Sequence, residues 1–224
     1  MFNYESPGCS NQDGPTNMTV QGTSLKANGS GSDFALFELN ENPPENYEIH
    51  YAGWSAVDVG PPQPVGIHHP SGDIKKISFD YDTGISDGWS GNDGSHWRVA
   101  DWEDGTTEPG SSGSPLYDAD HHIVGQLHGG EASCSYNVND YYGKFSSSWN
   151  SGLSEWLDPN NTGTLVLDGM DAVDIPDPSL SYDAESFNFD LAGGETGYEN
   201  INITNSGEPE SILTYNLNKS PFET

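Results

Sequence analysis

The run Glu108-Pro109-Gly110-Ser111-Ser112-Gly113-Ser114-Pro115-Leu116 is the segment of this chain best equipped for covalent chemistry. Its Gly-x-Ser-Gly-x-Pro pattern sets one hydroxyl, that of Ser112, on a tight turn with small residues on either side. A substrate carbonyl can approach such a turn closely, and the flanking amides are free to point at it. Serine hydrolases need that combination, because the nucleophile and the donors to the developing oxyanion must reach one carbonyl group together. Taken alone, the run reads more readily as an ordinary Gly/Ser turn in a chain with 27 glycines.

Other stretches supply partners. Asp33 opens Asp33-Phe34-Ala35-Leu36-Phe37-Glu38-Leu39, an acid followed by a strongly apolar, strand-like run. Downstream come Gly66-Ile67-His68-His69-Pro70, then Ile123-Val124-Gly125-Gln126-Leu127-His128-Gly129-Gly130, then Cys134. With Ala52-Gly53-Trp54, the nucleophile run and Trp156-Leu157-Asp158-Pro159, these stretches resemble, in order and nearly in spacing, the bacterial lysyl endopeptidases. That family consists of secreted serine proteases with the chymotrypsin-type double β-barrel. The resemblance covers roughly residues 1 to 170.

The resemblance implies a role for each matching residue. Ser112 is the nucleophile and Asp33 the acid of a Ser-His-Asp triad, with the backbone amides of Gly110 and Ser112 as oxyanion donors. Leu127 to Gly129 form the strand that pairs with the substrate backbone. Trp89 and His128 match an aromatic-imidazole pair beside the catalytic histidine. Asp140, in Asn139-Asp140-Tyr141-Tyr142-Gly143-Lys144, matches the acid at the base of the primary pocket. An anion in a low-dielectric slot selects an extended cation, hence cleavage after Lys. The loop from Cys134 to Asp140 is shorter than the family's, and 35 acidic residues make an Asp in any one loop a weak signal.

One part is missing. The family's base lies in a Thr-Ala-x-His-Cys segment upstream of the catalytic aspartate, yet no histidine stands between Met1 and Asp33. His68 and His69 match a structural strand of the family and are expected to pack or face solvent. The sequence therefore reads as an N-terminally truncated protease domain, inactive as it stands. The cysteines agree with this: by resemblance Cys9 and Cys134 each pair with a cysteine of that upstream segment. A direct Cys9–Cys134 bridge is the alternative.

Composition narrows the partners. Six Lys and Arg stand against 35 Asp and Glu, a formal charge of −29. Such a field repels phosphate backbones and anionic lipid, so neither nucleic acid nor a membrane surface is expected as a partner. It favours a Lys-containing polypeptide substrate, and it also serves the solubility of a secreted, extracellular bacterial protein. No stretch approaches the roughly 18 apolar residues of a membrane helix. No cofactor is implied, and a monomer is expected. Asp87 to Gly94 lacks the carboxylate spacing and final Glu of an EF-hand loop, so no metal is expected there. Adjacent histidines on a strand point to opposite faces, which argues against metal-dependent hydrolysis.

The elements needed to hold these residues are strands. Apolar content is only 32%, but 6 Trp, 11 Tyr and 8 Phe provide bulk for a β-rich core. Phe34–Leu39, residues 47–54, 74–81 and 122–128 read as strands between Gly/Asp/Asn/Pro clusters, and residues 152–157 as a short helix. The fold class is all-β: a double β-barrel lacking its N-terminal strands, followed by the start of an Ig-like sandwich. Residues 1–169 form the peptidase domain, 170–179 an acidic, Pro-stiffened linker, and 180–224 the partial sandwich. About 45 residues cannot complete a sandwich of roughly 100. The competing function is a non-catalytic secreted β-rich binding or adhesion module, a pseudo-protease that needs no histidine.

Overall fold

A computed structural model describes residues 1–172, 179–182 and 201–207. Contacts divide the chain into two units, Met1–Ala172 and Val173–Thr224. In the second, a strand at Leu180–Tyr182 pairs antiparallel with one at Ile203–Asn205. Most of the expected partial sandwich, residues 183–200 and 208–224, lies outside the described residues.

The regular elements of the first unit are mostly strands. They are β1 (Thr23–Gly29), β2 (Phe34–Leu39), β3 (His50–Tyr51), β4 (Trp54–Ser55), β5 (Val65–His68), β6 (Lys76–Phe79) and β7 (Ile85–Asp87). They continue with β8 (His96–Asp101), β9 (Pro115–Tyr117), β10 (Ile123–Gly130), β11 (Val138–Lys144), β12 (Val166–Leu167) and β13 (Met170–Asp171). The main sheet runs β6-β5-β9-β10-β11-β8-β7, with β4 added beside β10 and β12 beside β4. This path does not close on itself, and the chain is all-β without a closed barrel among the described residues. The β1–β2 hairpin is a separate two-stranded sheet.

Two expectations change in detail. Residues 47–54 do not form one strand: a 3-10 turn spans Glu45–Tyr47, and β3 and β4 are two-residue pieces. Glu48, in the left-handed region at φ 47, interrupts any extended run there. The helix is longer than 152–157. It begins at Phe145 and runs to Leu157, but Ser151 and Gly152 (φ 112) leave helical geometry and break it midway. Met170 and Asp171, the first residues of the expected linker, pair with Tyr51 and His50.

Two apolar clusters hold the unit together. Trp97, Val99, Trp102, Leu116, Val124, Leu127 and Tyr142 fill the main sheet's core. Phe34, Trp54, Ala56, Phe145, Trp149 and Leu153 join the start of β2 to the helical segment. Phe34 is the residue after Asp33, so burying its ring sets where that carboxylate emerges.

Candidate active site

The nucleophile turn is pinned from both sides. Ser111 N–H donates to Glu108 O at 3.0 Å and Ser114 N–H to Ser111 O at 3.1 Å. On the sheet side, Gly113 N–H donates to Leu127 O at 2.7 Å and Leu127 N–H to Ser114 O at 2.8 Å. On the other side, Ser71 N–H donates to Pro109 O at 2.8 Å. Among the described residues no backbone carbonyl accepts from the amides of Gly110 or Ser112. The alternation matters: residues 111 and 113 are spent on fixing the turn, and 110 and 112 keep their donors. Gly110 has φ 101, and a Cβ there would sit 3.1 Å from Ser71 N, so both conformation and space require glycine. Ser112 itself is exposed, whereas Ser111 is buried.

Asp33 approaches from the hairpin turn. The preceding residue, Ser32, is buried, and its carbonyl accepts a hydrogen bond from Gln126 Nε2 at 2.7 Å. Ser32 Oγ also meets Ser148 Oγ at 2.9 Å. These contacts dock the turn onto β10 and the helical segment. Asp33 Oδ2 then lies 3.6 Å from His128 Nε2, with 54% of its side chain exposed. The aspartate is therefore not buried as the triad template expects.

His128 owes its position to an irregularity. In the β10–β11 ladder Leu127 opposes Tyr142 and Gly129 opposes Tyr141, which leaves His128 as the extra residue of a bulge. The bulge re-aims its ring onto Trp89, with centroids 3.9 Å apart and planes at 18°. His128 Nδ1 meets His96 Nε2 at 2.9 Å, and His96 Nδ1 meets Ser95 Oγ at 2.7 Å. Ser95 Oγ–H donates to Asp93 at 2.6 Å. A chain of polar groups thus runs from Asp33 to Asp93. Burial, and then the neighbouring His128, hold the His96 imidazole below its ordinary pKa.

Asp140 is buried on β11. It is 1% exposed, and its Oδ2 accepts from Trp102 Nε1–H at 2.8 Å and Thr107 Oγ1–H at 2.6 Å. Burial pushes its carboxyl pKa up, against the opposing pull of those two hydrogen bonds. A Cβ on Gly130 would collide with the other carboxylate oxygen, so glycine opens the backbone of β10 directly over Asp140. Thr107, Asp140 and Gly130 therefore meet, and Thr107 leads straight into the nucleophile run.

Residues 1–143 match the domain family described as "Lysyl endopeptidase, C-terminal domain". The chain belongs to this lysyl endopeptidase family. A lysyl endopeptidase of Pseudomonas aeruginosa strain PAO1 is 33% identical over 136 residues. That alignment covers 57% of this chain but only 28% of the relative, so the chain spans well under half the relative's length. Among solved structures, an inactive mutant form of Rv3671c from M. tuberculosis H37Rv gives a TM-score of 0.38 at 12% identity. It covers 63% of this chain and 67% of that one, a likeness too slight to bear on the fold. The family match and the P. aeruginosa relative support a protease-related, hydrolase-family chain.

Within this lysyl endopeptidase domain, the structure brings Asp33, His128 and Trp89 together. It also sets the Ser112 turn against the residue preceding His128. Among the described residues no histidine hydrogen-bonds Ser112, and both nitrogens of His128 face other groups. Cys9 and Cys134 are both exposed free thiols, with no direct bridge between them. Sequence reasoning missed Gln126 and Ser32, whose pairing across 94 positions only the fold reveals. It also missed the acidic trio Asp80, Asp82 and Glu103, whose ligand atoms lie within 4.8 Å of one another. Burial is the main reason Asp80 is pushed up to about 6. In the Asp87–Gly94 loop, by contrast, Asp87 pairs with Arg98 and Asp93 accepts from Ser95.

Proposed function

We propose that this chain carries the nucleophile, acid, oxyanion donors and specificity pocket of a secreted serine endopeptidase that cleaves after Lys. The observation that carries the reading is the Gly110–Gly113 turn. Its exposed Ser112 lies in a turn tied to Leu127, the residue before His128, and among the described residues no backbone carbonyl accepts from the Gly110 or Ser112 amides. In the reaction Ser112 Oγ bonds to the scissile carbonyl carbon while its proton passes to an imidazole. The Gly110 and Ser112 amides hold the oxyanion. The amine leaves with that proton, and water then hydrolyses the Ser112 ester.

In the full-length protein, the imidazole comes from sequence outside these 224 residues, inserted between Asp33 and Ser112. Trp89 and His128 form one wall of that space. The two barrels of the chymotrypsin-type fold, and Asp140 as the anion that receives the substrate's ammonium group, belong to the same reading. A buried carboxylate whose charge is costly gains most from an incoming cation.

A fluorophosphonate probe tests the proposal on the full-length parent. Ser112 is expected to be labelled, the label to be lost in Ser112→Ala, and the 224-residue chain alone to label far more slowly. Labelling that survives Ser112→Ala overturns the assignment. A parent that never labels instead favours a binding module. The engagement of both His128 nitrogens gives that second reading its one specific support.

A further inference from the structure

We infer that His68 is a positioning residue for the oxyanion turn, fixing through Ser111 the direction of the Gly110 and Ser112 amides; this rests on the protease reading above. His68 ends β5 and is 1% exposed. Its Nδ1 meets Ser111 Oγ at 2.9 Å and its Nε2 meets Ser78 Oγ, on β6, at 3.0 Å. A buried imidazole must have both nitrogens bonded. Here one of the two partners is the residue immediately before the nucleophile.

Ser111 is the hinge of the turn. Its N–H donates to Glu108 O, and its hydroxyl accepts from Glu108 N–H at 3.3 Å. With backbone and side chain both tied, its dihedral angles have no freedom, and they set the plane of the next peptide. That plane carries the Ser112 N–H. His68 supplies the only one of these ties that reaches outside the turn through a side chain. The segment that follows His68 continues the support, because Ser71 N–H holds Pro109 O and Gly110 packs against residues 69–72. Strand β5 and its turn thus brace the loop from the side opposite Leu127. Burial, and then the adjacent His69, keep the ring below its ordinary pKa and so neutral. A neutral ring donates from one nitrogen and accepts at the other, and each hydroxyl can take either role.

An oxyanion donor is effective only when it is aimed before the reaction begins. Loss of the brace should therefore weaken binding of the tetrahedral state while leaving ground-state binding alone. It does not touch the reacting atoms.

The test uses the full-length parent with a Lys-ester substrate, a peptide aldehyde that forms a tetrahedral adduct, and a simple alkylamine as pocket competitor. His68→Ala is expected to lower kcat about 10- to 100-fold, a fraction of what losing an oxyanion donor costs. It should weaken the aldehyde in parallel and leave KM and the amine affinity within about twofold. His68→Gln, whose amide both donates and accepts, should recover part of the loss. Ser111→Ala should reproduce the defect, and the double variant should be no worse than either single one. If His68→Ala does not fold, Ser111→Ala and His68→Gln decide the matter. Unchanged kcat in folded variants, or equal losses in aldehyde and amine binding, overturns the inference. A wild-type parent that forms no Ser112 adduct fails one step earlier, sinking the protease reading and this inference together.

Discussion

The two sides of the candidate site are held very differently. The Ser112 turn is pinned by hydrogen bonds to Leu127 and Ser71 and rests on a core in which Val99, Trp102, Leu116 and Tyr142 are fully buried. Asp33 sits on a two-stranded hairpin with Leu25 52%, Phe37 54% and Leu39 40% exposed. Leu25 and Phe37 are cross-strand partners, so they form one apolar patch. A two-stranded sheet is marginal by itself. It is anchored at Ser32 and Phe34, and Ala27 and Leu36 pack against the same cluster. Oxyanion donors, as proposed for Gly110 and Ser112, need rigidity, and the turn's hydrogen bonds supply it. The acid's side is finished only where it meets Gln126, Ser148 and His128.

The sharpest way to break this contrast is by core truncation. Trp102→Ala should destabilise the 224-residue chain by about 3–5 kcal/mol, because it opens a cavity and strips Asp140 of a donor. Phe37→Ser on the hairpin should stay within about 0.5 kcal/mol. Denaturant unfolding compares them, and comparable losses would remove the distinction.

A smaller effect belongs to Asp140, proposed above as the anion that receives a substrate Lys. Asp140→Asn in the full-length parent should reduce the preference for Lys over a neutral residue by about 100-fold in kcat/KM, the scale of removing one partner of a buried charge pair. An unchanged ratio would place the specificity elsewhere.

The smallest concerns the C-terminal edge of the first unit. His122 Nε2 lies 2.8 Å from Asp168 Oδ1, and that hydrogen bond is the main reason its pKa is raised above 6.5. A raised value in the folded state means the contribution is complete below pH 6.5 and fades as pH rises through the folded value. The Asp168 side chain is 93% exposed, so the contribution stays below about 1 kcal/mol. Stability measured from pH 6 to 9 should fall slightly, and His122→Gln should flatten that slope.

Much of the site was legible before the fold. Gly110, Ser112 and Gly113 announce a tight turn because their small side chains leave few other conformations to prefer, and Phe34–Leu39 is a strand in both readings. His68 was less legible. As one of two adjacent histidines on an apolar strand it reads as packing, and its bond to Ser111 spans 43 positions. His128 was recognised by its neighbours in sequence, but not the bulge that turns its ring.

The amino-acid sequence by itself determined the strand-rich class, the Gly/Ser turn, the acidic composition and the family. These follow from side-chain size, charge and local backbone freedom, which act within a few residues. Tertiary structure alone decided that Ser32 docks on Gln126, that His68 meets Ser111, and that Gly130 lies against Asp140. Each of those contacts joins residues distant in the chain, and packing of buried groups against one another, not local preference, selects among such pairings.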